Sequence, residues 1–143
     1  FNAVVDATIN SPNSNANMGA AVRGVGDVNN DGIDDLAVGV PRYNPSARPD
    51  QGGVFIYYGS TNFDTTADAL LTIGTAGFNT GTAIAGGDVN GDGRPDVVVG
   101  AAGYESTNTF LNEGAALVFL GGNGPIDTTP DAILRSGRAD ATG

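Results

Sequence analysis

The sequence predicts an all-β protein built from two four-stranded antiparallel units, and three observations carry that prediction. A nine-residue phrase occurs twice, as DVNNDGIDD at 27–35 and DVNGDGRPD at 88–96, starting 61 residues apart. A glycine-bounded apolar run, Gly53-Val54-Phe55-Ile56-Tyr57-Tyr58-Gly59, returns 61 residues later as the run from Gly114 to Gly121. Segments opening Asp-Ala begin at Asp6, Asp68 and Asp131, spaced 62 and 63 residues apart. Self-similarity at a fixed period marks a repeat architecture.

Within one period the sequence predicts four strands. Residues 20–26 (matching 82–87) are small and precede the acidic phrase; residues 35–40 (matching 96–101) follow it. A longer polar loop leads to 54–58 (matching 115–120), and the last strand covers 69–73 (matching 132–135). Each run is short, rich in Val, Ile, Leu and aromatics, and bounded by Gly, Asn, Asp or Pro, which are strand signals. Short apolar runs can also be buried helix, but no stretch keeps an i, i+3, i+4, i+7 pattern over ten residues. A further outer strand is expected at 5–10, from the third copy of the Asp-Ala pattern. Four antiparallel strands per repeat form the blade of a β-propeller. The expected division is a first blade at 19–73, a second at 81–135 and a spare outer strand at 4–10. The small residues Gly19, Ala20, Ala21 and Gly81, Thr82, Ala83 would then lie nearest the axis, where blades crowd.

The doubled phrase carries the chemistry. Side-chain oxygens recur at positions 1, 3, 5 and 9: Asp27, Asn29, Asp31 and Asp35, then Asp88, Asn90, Asp92 and Asp96. The backbone carbonyls of Ile33 and Arg94 complete each set at position 7. A hard cation takes several oxygens at about 2.3–2.6 Å, and alternate residues of a tight loop supply them. Two structural Ca²⁺ sites are therefore expected, with Gly32 and Gly93 at the sharp turn. Pro95 stiffens the exit of the second loop. Mg²⁺ suits such a protein-only oxygen cage less well. An EF-hand or dockerin loop would continue to a carboxylate at position 12 and a helix, whereas here that position is Val38 and Val99 inside strand-like runs. The metal is expected to order the loop and lock the first two strands together. Affinity is expected at roughly 10⁻⁴–10⁻³ M, the range of extracellular modules.

Composition narrows the function. Six basic residues, all arginine, stand against 16 acidic ones, for a net charge of −10. Two bound divalent cations would bring that to about −6. The absence of a basic cluster argues against nucleic acid and against an anionic membrane surface. No apolar run reaches the roughly 20 residues of a membrane span, so membrane insertion is not expected. Without histidine or cysteine there is no disulfide framework, no thiolate site and no Ser-His triad. An enzyme is not expected. The chain opens at Phe1 without methionine, as a processed product or a piece of something longer would.

Each repeat resembles the FG-GAP repeat, the blade unit of integrin α-chain propellers. The FG position reads Met18-Gly19 and Thr80-Gly81; the GAP position reads Gly39-Val40-Pro41 and Gly100-Ala101-Ala102. The metal phrase between these landmarks is intact in both copies. The resemblance implies a propeller fold, calcium between the first two strands of each blade, and an extracellular or cell-surface setting. It implies no particular ligand.

A binding face is expected on the loops joining the second and third strands, 42–51 and 103–113, which are the longest and least repeated. They carry Arg42, Tyr43, Arg48, Tyr104, Glu105 and Phe110. Aromatics and arginines on variable loops over a rigid scaffold suit a protein or carbohydrate ligand. The competing reading packs Tyr43 and Tyr104 against a neighbouring blade. Two blades cannot close a propeller of four to eight. The expected partners are therefore further blades of the same protein or identical subunits, in a ring or in a self-assembling filament or surface layer.

Overall fold

The computed structural model describes residues 5–45, 49–106 and 113–135. Among these there are eight strands and no helix, so none is long and apolar enough to cross a membrane. The first sheet contains β1 (Val22–Gly26), β2 (Asp35–Gly39), β3 (Val54–Tyr57) and β4 (Ala69–Leu71). The second contains β5 (Thr80–Gly87), β6 (Asp96–Ala101), β7 (Ala115–Phe119) and β8 (Ala132–Arg135). Both are antiparallel meanders in chain order, as the repeat predicts.

Register decides which side chains the two sheets share. Pairing of Ala37 with Ile56 and of Val54 with Leu71 puts these four on one face of the first sheet, and all four are buried. The second sheet pairs Val97 with Phe119 and Val99 with Leu117, and this face is buried too. With Val25, Val28, Ile84 and Ile126 they form one core between the sheets. Burial of each large apolar side chain contributes about 1.5–3 kcal/mol, so this seam is the main source of stability.

The inner strands come close enough to need glycine. β5 runs against β1 and β2. A Cβ on Gly39 would strike the carbonyl oxygen of Gly81, and one on Gly81 would strike that of Gly53. The small residues expected near the axis are therefore required at Gly81. Gly19, the matching position of the first repeat, has open space.

β2, β3 and β7 end one residue and β4 two residues short of expectation, and the starts of the inner strands shift where a neighbouring sheet is involved. β5 begins at Thr80, earlier than expected, because Thr80 forms a parallel bridge with Gly52 of the first sheet. β1 begins only at Val22, having no preceding sheet to extend it. Residues 5–10, expected as a spare outer strand, are irregular, and residue 4 lies outside the described residues. An outer strand needs the free edge of a third strand, and β3 and β7 already carry β4 and β8.

Candidate metal centre

Each acidic loop is wound around its own carboxylates. In the first, Asp27 Oδ1 accepts the N–H of Asp31 at 2.9 Å and Oδ2 that of Gly32 at 2.8 Å. Asn29 Oδ1 accepts the Asp31 N–H at 3.0 Å. Asp31 Oδ1 accepts the Ile33 N–H at 2.9 Å, and its Oδ2 the Asn29 amide at 2.9 Å. The second loop repeats the pattern: Asp88 accepts from Gly91, Asp92 and Gly93, Asn90 Oδ1 from Asp92, and Asp92 Oδ1 from Arg94. Gly32 and Gly93 take φ of 94° and 87°, the left-handed turn that glycine adopts without steric penalty. The sequence folds this way locally because Asp and Asn side chains bond the backbone two to five residues ahead.

Position 9 has a further role. Asp35 and Asp96 are buried, and each bonds two separate stretches of backbone. Asp35 Oδ2 accepts the Val28 N–H at 2.9 Å and Oδ1 the Gly59 N–H at 2.8 Å, joining loop, β2 and the end of β3. Asp96 does the same with Val89 at 2.9 Å and Gly121 at 2.9 Å. Burial pushes the Asp35 carboxyl above its ordinary range, opposed by the Gly59 and Val28 N–H groups and reinforced by the charges of Asp31 and Asp27. In contrast, the exposed Asp88 carboxyl is held below that range, chiefly by the Gly93 N–H.

The donor set fits a hard cation by chemistry. Every candidate side-chain atom is a carboxylate or amide oxygen, and a carboxylate oxygen that accepts one N–H keeps a second lone pair. The side chains of Asp27, Asn29 and Asp31 all curl back onto the same loop. Among the described residues, however, no three acidic side chains are gathered into a ready-made metal cluster. The two loops also differ: Arg94 Nη1 lies 3.7 Å from Asp92 Oδ2, where the first loop has Ile33.

The first loop is held from outside as well. Gly122 donates its N–H to the Val28 carbonyl at 3.1 Å, and Gly124 to that of Asn29 at 2.8 Å. Asn30 donates its amide to Asn123 at 2.9 Å, and Ile126 donates its N–H to the Tyr58 hydroxyl at 2.8 Å. The loop between β7 and β8 thus clamps the first acidic loop against the second sheet.

The sequence-predicted binding residues are mostly used in packing. Tyr43 stands edge-on to Phe55 of its own sheet, ring centres 5.2 Å apart. Tyr104 meets Phe78 of the β4–β5 connection at 4.9 Å. Arg42 is exposed and pairs with Asp50 at 3.8 Å. Arg48 and Phe110 lie outside the described residues. The residues that sequence reasoning missed are Asp68 and Asp131, whose carboxylates accept the N–H of Tyr58 at 2.7 Å and Leu120 at 2.8 Å. They close the β3–β4 and β7–β8 hairpins, and the recurring Asp-Ala pattern was their signal.

The sequence model of the FG-GAP repeat matches residues 18–57 and 80–118, one span in each sheet. The chain belongs to the FG-GAP repeat family. It is 42% identical to human integrin alpha-6 over 110 residues, which is 76% of this chain and 9% of the relative. It is 31% identical to Xenopus laevis integrin alpha-5 over 115 residues, 76% of this chain and 10% of the relative. Human phosphatidylinositol-glycan-specific phospholipase D is 36% identical over 77 residues, 52% of this chain and 9% of that protein. The chain thus spans between 9% and 14% of the length of the relatives it matches.

Proposed function

We propose that these FG-GAP repeats form a calcium-stabilised, non-catalytic module of an extracellular or cell-surface protein, in which two propeller blades present loops for adhesion or ligand binding. The observation that carries this reading is the doubled loop. Two separate turns curl three side-chain oxygens apiece onto one backbone arc. Asp27, Asn29, Asp31 and Asp35, with the Ile33 carbonyl, would hold one ion; Asp88, Asn90, Asp92 and Asp96, with the Arg94 carbonyl, would hold the other. Asp35 and Asp96 would also brace each loop, since each accepts two backbone N–H groups. The metal supplies no reaction here; it relieves repulsion among carboxylates and orders the turn.

Several acids outside the loops are also accounted for structurally. Asp68 and Asp131 close hairpins, Asp50 pairs with Arg42, and Glu113 accepts from Ser106. This leaves little for a carboxylate-pair mechanism, and neither histidine nor cysteine is present. The phospholipase relatives carry an enzyme's name, but the shared stretch is 9–14% of their length and brings no activity with it. Integrin-like relatives support an extracellular setting and a protein-type ligand.

Titration calorimetry with calcium tests the reading: two ions bind per chain, and Asp27→Ala and Asp88→Ala each abolish one. Heat from neither loop, or from one insensitive to both substitutions, would overturn it. A second reading, a subunit of an extracellular filament, rests on the exposed Val22 and Leu134, one on the outer face of each sheet.

A further inference from the structure

The connection between β7 and β8 touches both acidic loops, and it does so with neighbouring residues. Gly121 donates its N–H to Asp96 Oδ1 at 2.9 Å, and so reaches position 9 of the second loop. The next residue, Gly122, donates to the Val28 carbonyl of the first loop at 3.1 Å, and Gly124 to the Asn29 carbonyl at 2.8 Å. Between these two, Asn123 Oδ1 accepts the Asn30 amide at 2.9 Å. Asp96 and Val28 are thus joined through one dipeptide, although they belong to different repeats.

The fit at this dipeptide is close. A Cβ on Gly121 would strike the carbonyl oxygen of Pro95 in the second loop and lie 3.2 Å from the Val28 carbonyl oxygen in the first. Asp96 Oδ2 accepts the Val89 N–H at 2.9 Å, which carries the contact to the start of the second loop. The far end of the connection reaches the first loop by another route. Ile126 donates its N–H to the Tyr58 hydroxyl at 2.8 Å, and Gly59, the residue after Tyr58, donates to Asp35 Oδ1 at 2.8 Å. Residues 121–126 therefore hold position 9 of the second loop and positions 2 and 3 of the first directly. They meet position 9 of the first through Tyr58 and Gly59.

We propose that the two acidic loops bind calcium cooperatively, each filled site strengthening the other through the Gly121–Ile126 connection. This rests on the calcium reading above and adds to it a coupling between the sites. Ordering of the first loop around its ion fixes the Val28 and Asn29 carbonyls, and Gly122 and Gly124 settle against them. Gly121 follows, and its N–H sets the Asp96 carboxylate that the second site uses. The path runs equally in reverse. The later site to fill finds its backbone already ordered and loses less conformational freedom. Linkage makes the effect reciprocal, so each site raises the affinity of the other by the same factor. Asn30 belongs to this path and to neither donor set. Its φ of 60° is left-handed, as is the 82° of Gly91 at the same place in the second loop. Only the asparagine has a side chain that reaches across.

Titration calorimetry of the 143-residue chain with calcium measures the coupling. Asp27→Ala and Asp88→Ala each leave one site and give its affinity alone. The product of the two association constants of the unaltered chain, divided by the product of the single-site values, is the coupling factor. The predicted factor is about fivefold or more, the lower end of common coupling between sites. Asn30→Gly combined with Tyr58→Phe removes two of the bonds and no ligand oxygen, so both ions still bind and the factor falls towards one. Gly121→Ala, which pushes the connection off both loops, has the same effect, with far-ultraviolet dichroism in chelator checking that the strands remain. If Gly121→Ala does not fold, the double variant decides alone. A factor of one in the unaltered chain overturns the proposal while leaving two independent calcium sites and the calcium reading intact. A factor undiminished in the double variant also overturns it, since the coupling then belongs to folding as a whole. Heat from neither loop in any variant removes the calcium reading and the proposal together.

Discussion

Asp35 and Asp96 illustrate how one residue can belong to two arguments. Their place at position 9 of the acidic phrase suggests a ligand, and the sequence offers no sign that they also brace three stretches of backbone. That second role depends on Gly59 and Gly121, which arrive 24 and 25 residues later through sheet pairing. Asp35→Asn turns an amide N–H toward a backbone N–H and leaves a buried donor unpaired, at a cost of about 1–3 kcal/mol. Urea unfolding in chelator should show this loss undiminished, because the brace needs no metal. Arg94 acts oppositely, placing a positive charge beside Asp92. Replacing it with isoleucine, as in the first loop, should tighten calcium binding at the second loop by about two- to fivefold, in keeping with a partly exposed pair; calorimetry reads this directly. Tyr58 gives a pH signature. Burial raises its phenol pKa above the ordinary 10.0, and does the same at Tyr57. Between 10.0 and the raised value the folded chain holds more protons than the unfolded one, so stability falls as pH rises through that window. Tyr58→Phe should make the alkaline loss shallower. At neutral pH it should cost about 1–2 kcal/mol, because the Ile126 N–H loses its acceptor.

At the scale of elements, the strands were legible because their causes are local. Runs such as Val97-Val98-Val99 between an aspartate and a glycine permit little else, and β6 and β8 have the expected limits. Strand ends were a residue or two too long, as at β4, and the larger failures depended on a neighbouring sheet. The segment at 5–10 carries the pattern of an outer strand but has no third-strand edge to join. The start of β5 was misjudged because the Gly52 bridge is invisible in the local sequence. Of the two glycines read as crowded near the axis, Gly81 meets the neighbouring sheet and Gly19 does not. Gly81→Ala combines a left-handed φ of 93° with a backbone collision. It should cost about 1–2 kcal/mol for the conformation and a further 1–3 for the overlap. Gly19→Ala, at φ 86° in open space, should cost only the first amount in the monomer. Thermal unfolding of the two variants separates the contributions.

For the whole molecule, the repeat period fixes two matched sheets, and the loops of one repeat are held by the other. The acidic phrases were legible as a pair; their inequality was not, since the Gly122 and Gly124 bonds to the first loop come from a segment more than ninety residues away. Calcium is expected to act on this whole assembly, because a braced first loop also carries the β7–β8 clamp. The most direct measurement is the thermal midpoint of the chain in excess calcium and in excess chelator. Stabilisation grows as the logarithm of free calcium over its dissociation constant, so concentrations about a hundredfold above that constant add about 2.7 kcal/mol per site. A midpoint higher in calcium by several degrees, with the rise roughly halved by Asp88→Ala, is the predicted result. Superimposable melting curves in calcium and chelator would contradict it.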